Sequence, residues 1–133
     1  LAFILDASVA VAWVVPSQAT DYAKRIRLRA RREAFYVPAI FGSEVTNVLV
    51  TLERRRILSA EGAAAAAAVL SRLNPIVHSL HLTVSELRAL ALGYGLTAYD
   101  ATYLALAQEL RLPVACGDRP LRAALPRAGV KLV

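Results

Sequence analysis

A chain of 133 residues, 57% apolar and with a formal charge of +6, is the length of one domain, since domains most often run to about 100–150 residues. Its single cysteine, Cys116, excludes an internal disulfide and a Cys-rich zinc site, and charges break every apolar run before the roughly 18–20 residues that a membrane-spanning helix needs. A protein of a reducing cytoplasm is expected, and all of its basic residues except Lys24 and Lys131 are arginines, whose planar forks match phosphate geometry.

The opening "LAFILDASVAVAWVVP" lacks a basic leading segment and carries Asp6 inside its apolar part, so it reads as a buried strand ("AFIL", 2–5) and a short helix (8–15), not as a secretory signal. Thr20 and Asp21 start the next helix, with an apolar stripe through Ala23, Ile26 and Ala30. "FYVP" (35–38) is a brief strand, and a strong helix follows to about Arg56 with Val45, Val48, Leu49 and Leu52 on its core face. Ser59 opens a helix through the alanine run 63–68, whose propensity is high. "PIVHSL" (75–80) is the third strand, and "TVSELRALALGYG" (83–95) is a helix ended by glycines. "LTAYDATYLALA" (96–107) is helical, with Thr97 or Ala98 at its start. "PVAC" (113–116), a short helix from about Arg119 and a last strand "VKLV" complete the chain. The alternation of short strands and helices predicts a single three-layer α/β/α domain over residues 1–133, built on a parallel central sheet.

Four carboxylates stand out against this plan. Asp6 follows the first strand and Asp118 the fourth, Asp100 begins the helix before that fourth strand, and Glu44 lies in the first turns of the helix after "FYVP". In parallel sheets ligands bind beyond the carboxyl ends of the strands, at a switch in strand order, and all four acids belong near that end. Two carboxylates about 5 Å apart repel by roughly 3 kcal/mol at an effective dielectric near 20, so such a group needs a counter-charge or partial protonation. Mg²⁺ or Mn²⁺ is the fitting cation, because hard ions take carboxylate oxygens. An all-carboxylate set argues against zinc, and His78 and His81 read as structural or surface residues. Such a metal suits hydrolysis at phosphorus. Nucleotide-binding glycine loops are missing, as is any Ser–His–Asp arrangement.

Four stretches in order, "FILDASVAVAWVV", "SEVTNVLVTLERR" (43–55), "LTAYDATYLALA" and "LPVACGDRPLRAA" (112–124), resemble the PIN-domain family and, within it, the VapC-type toxins of toxin–antitoxin pairs. The resemblance spans the chain. It implies a Mg²⁺- or Mn²⁺-dependent endoribonuclease whose catalytic and metal-binding residues are Asp6, Glu44, Asp100 and Asp118, with a metal-activated water and no protein nucleophile. It also implies a homodimer, an RNA substrate, an antitoxin that occupies the site, and operator DNA bound through that antitoxin. Ser8 and Asn47 match positions that orient ligands, although Ser8 reads equally as a helix cap. Cys116 departs from the family, which usually has Thr there, and the fourth acid is the least uniform feature of such sites.

Other features carry two readings each. Arg25, Arg29 and Arg32 form one helix face and Arg54, Arg55 and Arg56 extend the charge, either as a solvated surface or as contacts to RNA; Arg119, beside Asp118, is better placed to meet a phosphate. Trp13 with Val11, Val14 and Val15 is a groove for an antitoxin segment or simply core. Tyr99 and Tyr103 stack on a base or merely pack. The rival function is a catalytically silent PIN-like module that binds RNA or protein. Phosphatases of the haloacid dehalogenase type want Asp-x-Asp where this chain has Asp6-Ala7-Ser8, and receiver domains want an Asp after the third strand, where it has "HSLHL".

Overall fold

Strand β1 (Ala2–Leu5) is apolar on both faces and buried almost throughout, as a central strand of a parallel sheet must be. The computed structural model describes residues 1–133. After β1 come α1 (Ala7–Val14), a 3₁₀ turn at Pro16–Gln18, α2 (Asp21–Ala30), β2 (Ala34–Val37), α3 (Phe41–Arg54), α4 (Ala60–Ser71), β3 (Ile76–Val77), α5 (Val84–Tyr94), α6 (Ala98–Leu110), β4 (Val114–Ala115) and α7 (Arg119–Arg127). The strands pair in the order β3-β2-β1-β4, all parallel. From β1 the chain builds outward through β2 and β3, then returns to place β4 on the other side. The switch in strand order therefore falls between β1 and β4.

The alternating side chains of the strands feed two cores. Phe3, Leu5, Phe35 and Val37 pack under α1, α2, α3 and α4. Ile4, Val114 and Cys116 pack against Tyr103, Leu104 and Leu106 of α6 and Leu121 and Leu125 of α7. The result is the expected α/β/α sandwich. Helix starts are written locally: the side chains of Thr20, Ser59, Thr83 and Thr97 each accept the N–H three residues on, and Glu86 returns the bond to close a capping box on α5. Gly95, at φ +66°, ends α5 in the left-handed conformation that glycine tolerates.

Several expectations need correction. Strand β3 is only Ile76–Val77, an exposed edge; the His78 N–H still donates to the Val37 carbonyl of β2 at 3.0 Å, but the rest of "PIVHSL" does not extend the strand. "VKLV" contributes a single bridge from Leu132 to Val114 instead of a strand. Helix α2 ends at Ala30, so Arg32 lies beyond it and does not continue the face of Arg25 and Arg29. Trp13 belongs to the packing: its indole N–H donates to the Ala23 carbonyl at 2.7 Å and its ring meets Phe35 edge-on. Val11 and Val15 beside it are buried, and the cleft that Trp13 does line is shared with Arg27, Arg31, Phe35 and Arg72 and not with those valines.

Candidate metal centre

Each of the four acids sits at the start of a helix. Asp6, directly after β1, is the N-cap of α1, where its Oδ2 accepts the Ser8 N–H at 3.2 Å. Asp118, after β4, is the N-cap of α7, and its Oδ2 accepts the Leu121 N–H at 3.3 Å. Glu44 and Asp100 lie in the first turns of α3 and α6. Because β1 and β4 are neighbours, the switch point brings Asp6 and Asp118 to the same place. All four acids line one cleft of about 660 Å³, joined by Ser8, Asn47 and Tyr99 and by no Lys, Arg or His. The positive ends of four helix dipoles meet there, a partial compensation for negative charge.

Partial is the operative word. Asp6 is the one buried charged side chain, 4% exposed. Burial lifts its carboxyl from 3.8 to about 6; the Ser8 hydroxyl and N–H oppose the rise, and Glu44 and Asp118 add to it. The Asp100 carboxyl also rises to about 6, first through burial and then through Asp118 and Asp6. Burial raises Glu44 too, against the Tyr103 hydroxyl, with Asp100 adding to the rise. The cluster lacks positive charge. In Asp6, Glu44 and Asp118 one oxygen takes hydrogen bonds from the protein and the other takes none. Those free oxygens, with the Asn47 amide, form an oxygen-only donor set that fits Mg²⁺ or Mn²⁺. No three of the acids stand close enough together, as placed, to grip one ion by themselves.

Comparison with known proteins identifies the family. The PIN domain family matches residues 3–124, a span that holds all four acids. The chain belongs to the PIN-domain family. It is 30% identical over 125 residues to Ribonuclease VapC3 of Pyrobaculum aerophilum, covering 92% of this chain and 94% of that protein, which makes it a VapC-type member. It also superposes on the crystal structure of PAE2754 from Pyrobaculum aerophilum with a TM-score of 0.65, at 24% identity, over 93% of this chain and 84% of that one. That second likeness is one of fold.

Two hydroxyls organise the acids of this PIN domain; the ligand-orienting reading of Ser8 fits what is found, whereas the role of Tyr103 was not legible in the sequence. Ser8 is not the helix cap, since Asp6 is. The Ser8 hydroxyl donates to Asp6 Oδ2 at 2.5 Å and accepts the Gly117 N–H at 3.2 Å, tying the end of β1 to the loop after β4. Tyr103 stacks on nothing from outside: it is fully buried, and its hydroxyl donates to Glu44 Oε1 at 2.7 Å. Its one sequence signal is the three-residue spacing from Asp100, which puts both on one helix face. Tyr99 is 62% exposed on the wall of the cleft and remains free to meet a ligand. The Cys116 thiol is buried against the Asp118 carbonyl at 3.4 Å and reaches no carboxylate. His78 pairs with Glu109 on the far side of α6 from the acids, and neither histidine lines the cleft.

Proposed function

We propose that this PIN domain is a metal-dependent endoribonuclease and the toxin of a toxin–antitoxin pair, with Asp6, Glu44, Asp100 and Asp118 as its metal-binding and catalytic residues. The reading rests above all on the convergence of four acids from four helix starts on one cleft without a cation. That the relative is a ribonuclease supports it. When bound, Mg²⁺ or Mn²⁺ supplies an activated water and positive charge at the attacked phosphate. The protein's part is to hold carboxylates in place: Asp6 through Ser8, Glu44 through Tyr103, Asp118 through the first turn of α7. Left to themselves these acids would repel a phosphodiester, so substrate binding and metal binding go together. The Ser8 hydroxyl already serves Asp6 and Gly117, which leaves it poorly placed as a nucleophile and favours attack by water. A homodimer, an antitoxin seated over the cleft, and operator DNA reached through that antitoxin complete the proposal, as does the reading of residues 1–133 as one domain. A silent binding module would have no use for a buried, self-repelling cluster.

The deciving experiment is Mn²⁺ binding by titration calorimetry on wild type and Asp100→Asn, paired with RNA cleavage with and without EDTA. Binding lost in the variant and cleavage abolished by EDTA are expected. Equal binding in both proteins, with cleavage indifferent to EDTA, would return Asp100 to a helix-start residue and leave the silent module.

A further inference from the structure

Half of the arginines of this chain have an evident local reason to be where they are. Arg27, Arg29 and Arg127 donate to the Trp13 carbonyl, to Glu33 and to the Tyr94 carbonyl. Arg31, Arg55, Arg72 and Arg111 stand at the C-caps of α2, α3, α4 and α6, where the helix dipole favours a cation. Arg119 and Arg122 are the reverse case. They occupy the first turn of α7, where the dipole disfavours positive charge, and their three-residue spacing puts them on one face. No acid lies within ion-pair distance of either, or of Arg25.

Arg25 and Arg122 share a neighbourhood, and Arg119 stands three residues before Arg122 on α7. The guanidinium of Arg122 lies 4.8 Å from the centre of the Tyr22 ring, and that of Arg25 lies 5.8 Å from the same ring. Tyr22 is itself anchored: its hydroxyl donates to the Val133 carbonyl at 3.1 Å and accepts the Cys116 N–H at 3.2 Å. Cys116 precedes Gly117 and Asp118, so the ring and its arginines flank the β4 rim of the acidic cleft. A guanidinium stacked on an aromatic face keeps its in-plane N–H donors free. Like charges gathered without an acid, two of them against a helix dipole, make a place that an anion relieves.

We propose that Arg25 and Arg122, arranged about Tyr22, and Arg119, three residues before Arg122 on α7, form a phosphate-binding site that holds the backbone of single-stranded RNA beside the acidic cleft. The proposal takes its ligand from the ribonuclease reading above. The acids attract cations and repel phosphates, so affinity for a polyanion has to come from outside the cleft, and this cluster adjoins it. The exposed Tyr99 on the cleft wall offers a face for an unstacked base, which suits a single strand.

The test uses an Asp6→Asn background, in which bound RNA stays intact, and fluorescence anisotropy of a short labelled single-stranded RNA across a range of KCl concentrations. Arg119→Gln and Arg25→Gln, both at exposed positions, are each expected to reduce the slope of log affinity against log salt by about 0.7. Each is also expected to weaken binding by up to about fivefold, the upper end for an exposed ion pair. Arg72→Gln, at the end of α4, is expected to change neither. Wild-type slopes and affinities in both cleft-side variants would overturn the site. So would tighter binding of a poly-aspartate peptide than of RNA, lost in the same variants, which would assign the cluster to an acidic protein segment. Arg122→Gln enters as a third variant, judged only if its melting temperature holds. Cleavage by the wild-type chain reports separately: cleavage with unchanged slopes sinks this site alone, and altered slopes without cleavage sink only the nuclease.

Discussion

Asp6 caps α1 and also keeps a carboxylate buried beside Glu44 and Asp118. The two roles have different chemical needs. An asparagine caps a helix as well as an aspartate and still accepts from Ser8, but it carries no charge. Raising a carboxyl from 3.8 to about 6 corresponds to about 3 kcal/mol against the charged form at neutral pH. Asp6→Asn is therefore expected to melt above wild type in EDTA at pH 7, by roughly 3–10 °C for a domain of this size, while losing Mn²⁺ binding. Calorimetric melting of both proteins checks this, and a variant that melts lower would mean that the carboxylate stabilises the fold. Tyr103→Phe tests the second hydroxyl. The ring still fills its place, so stability should fall by no more than about 1 kcal/mol, whereas Mn²⁺ affinity should drop by about tenfold as Glu44 loses its guide. Unchanged affinity would reduce Tyr103 to packing.

At the scale of elements, the cleft is a meeting of helix starts. Thr97 fixes the first turn of α6 by accepting the Asp100 N–H at 3.1 Å, and Thr83 does the same for α5, away from the acids. Replacing either by alanine is expected to cost about 1 kcal/mol. Only Thr97→Ala should also weaken Mn²⁺ binding, because only that cap holds a carboxylate in register. Melting and titration on the two variants make the comparison, and equal effects on the metal would sink the distinction. These caps were readable because a cap and the N–H it binds lie three residues apart. Strand limits were less readable. What pairs with Ile76, or fails to pair with Ser79 and Leu80, depends on β2 and on the sheet edge, which no local pattern encodes. The acids were legible one by one, since each follows a strand or opens a helix. Ser8, two residues from Asp6, was within reach of the same local reading, but the long-range supports were not: Tyr103 and Glu44 are 59 residues apart, and Ser8 and Gly117 are 109 apart.

For the whole molecule, the acids tie stability to pH and to metal. Asp6 and Asp100 titrate near 6 when folded and near 4 when unfolded, so between those values the folded chain binds more protons. Their contribution to stability is therefore greatest below about pH 4 and is lost as the pH rises through about 6. In EDTA the wild type should show this fall, and Asp6→Asn should lack its share of it; parallel curves for the two proteins would contradict the assignment. Bound Mn²⁺ should reverse the trend, because its ligands must be deprotonated, and at a hundred times its Kd it adds about 2.7 kcal/mol.

The double duty of Asp6 and Asp118, as helix caps and as members of the cleft, has a consequence for how such a chain changes over generations. An amide at either position preserves the cap, removes the repulsion and leaves the architecture standing. At Asp6, where burial penalises the charge, that exchange is a single step downhill in folding energy. Folding alone gives Asp6 no preference for a carboxylate over an amide; the proposed metal site does.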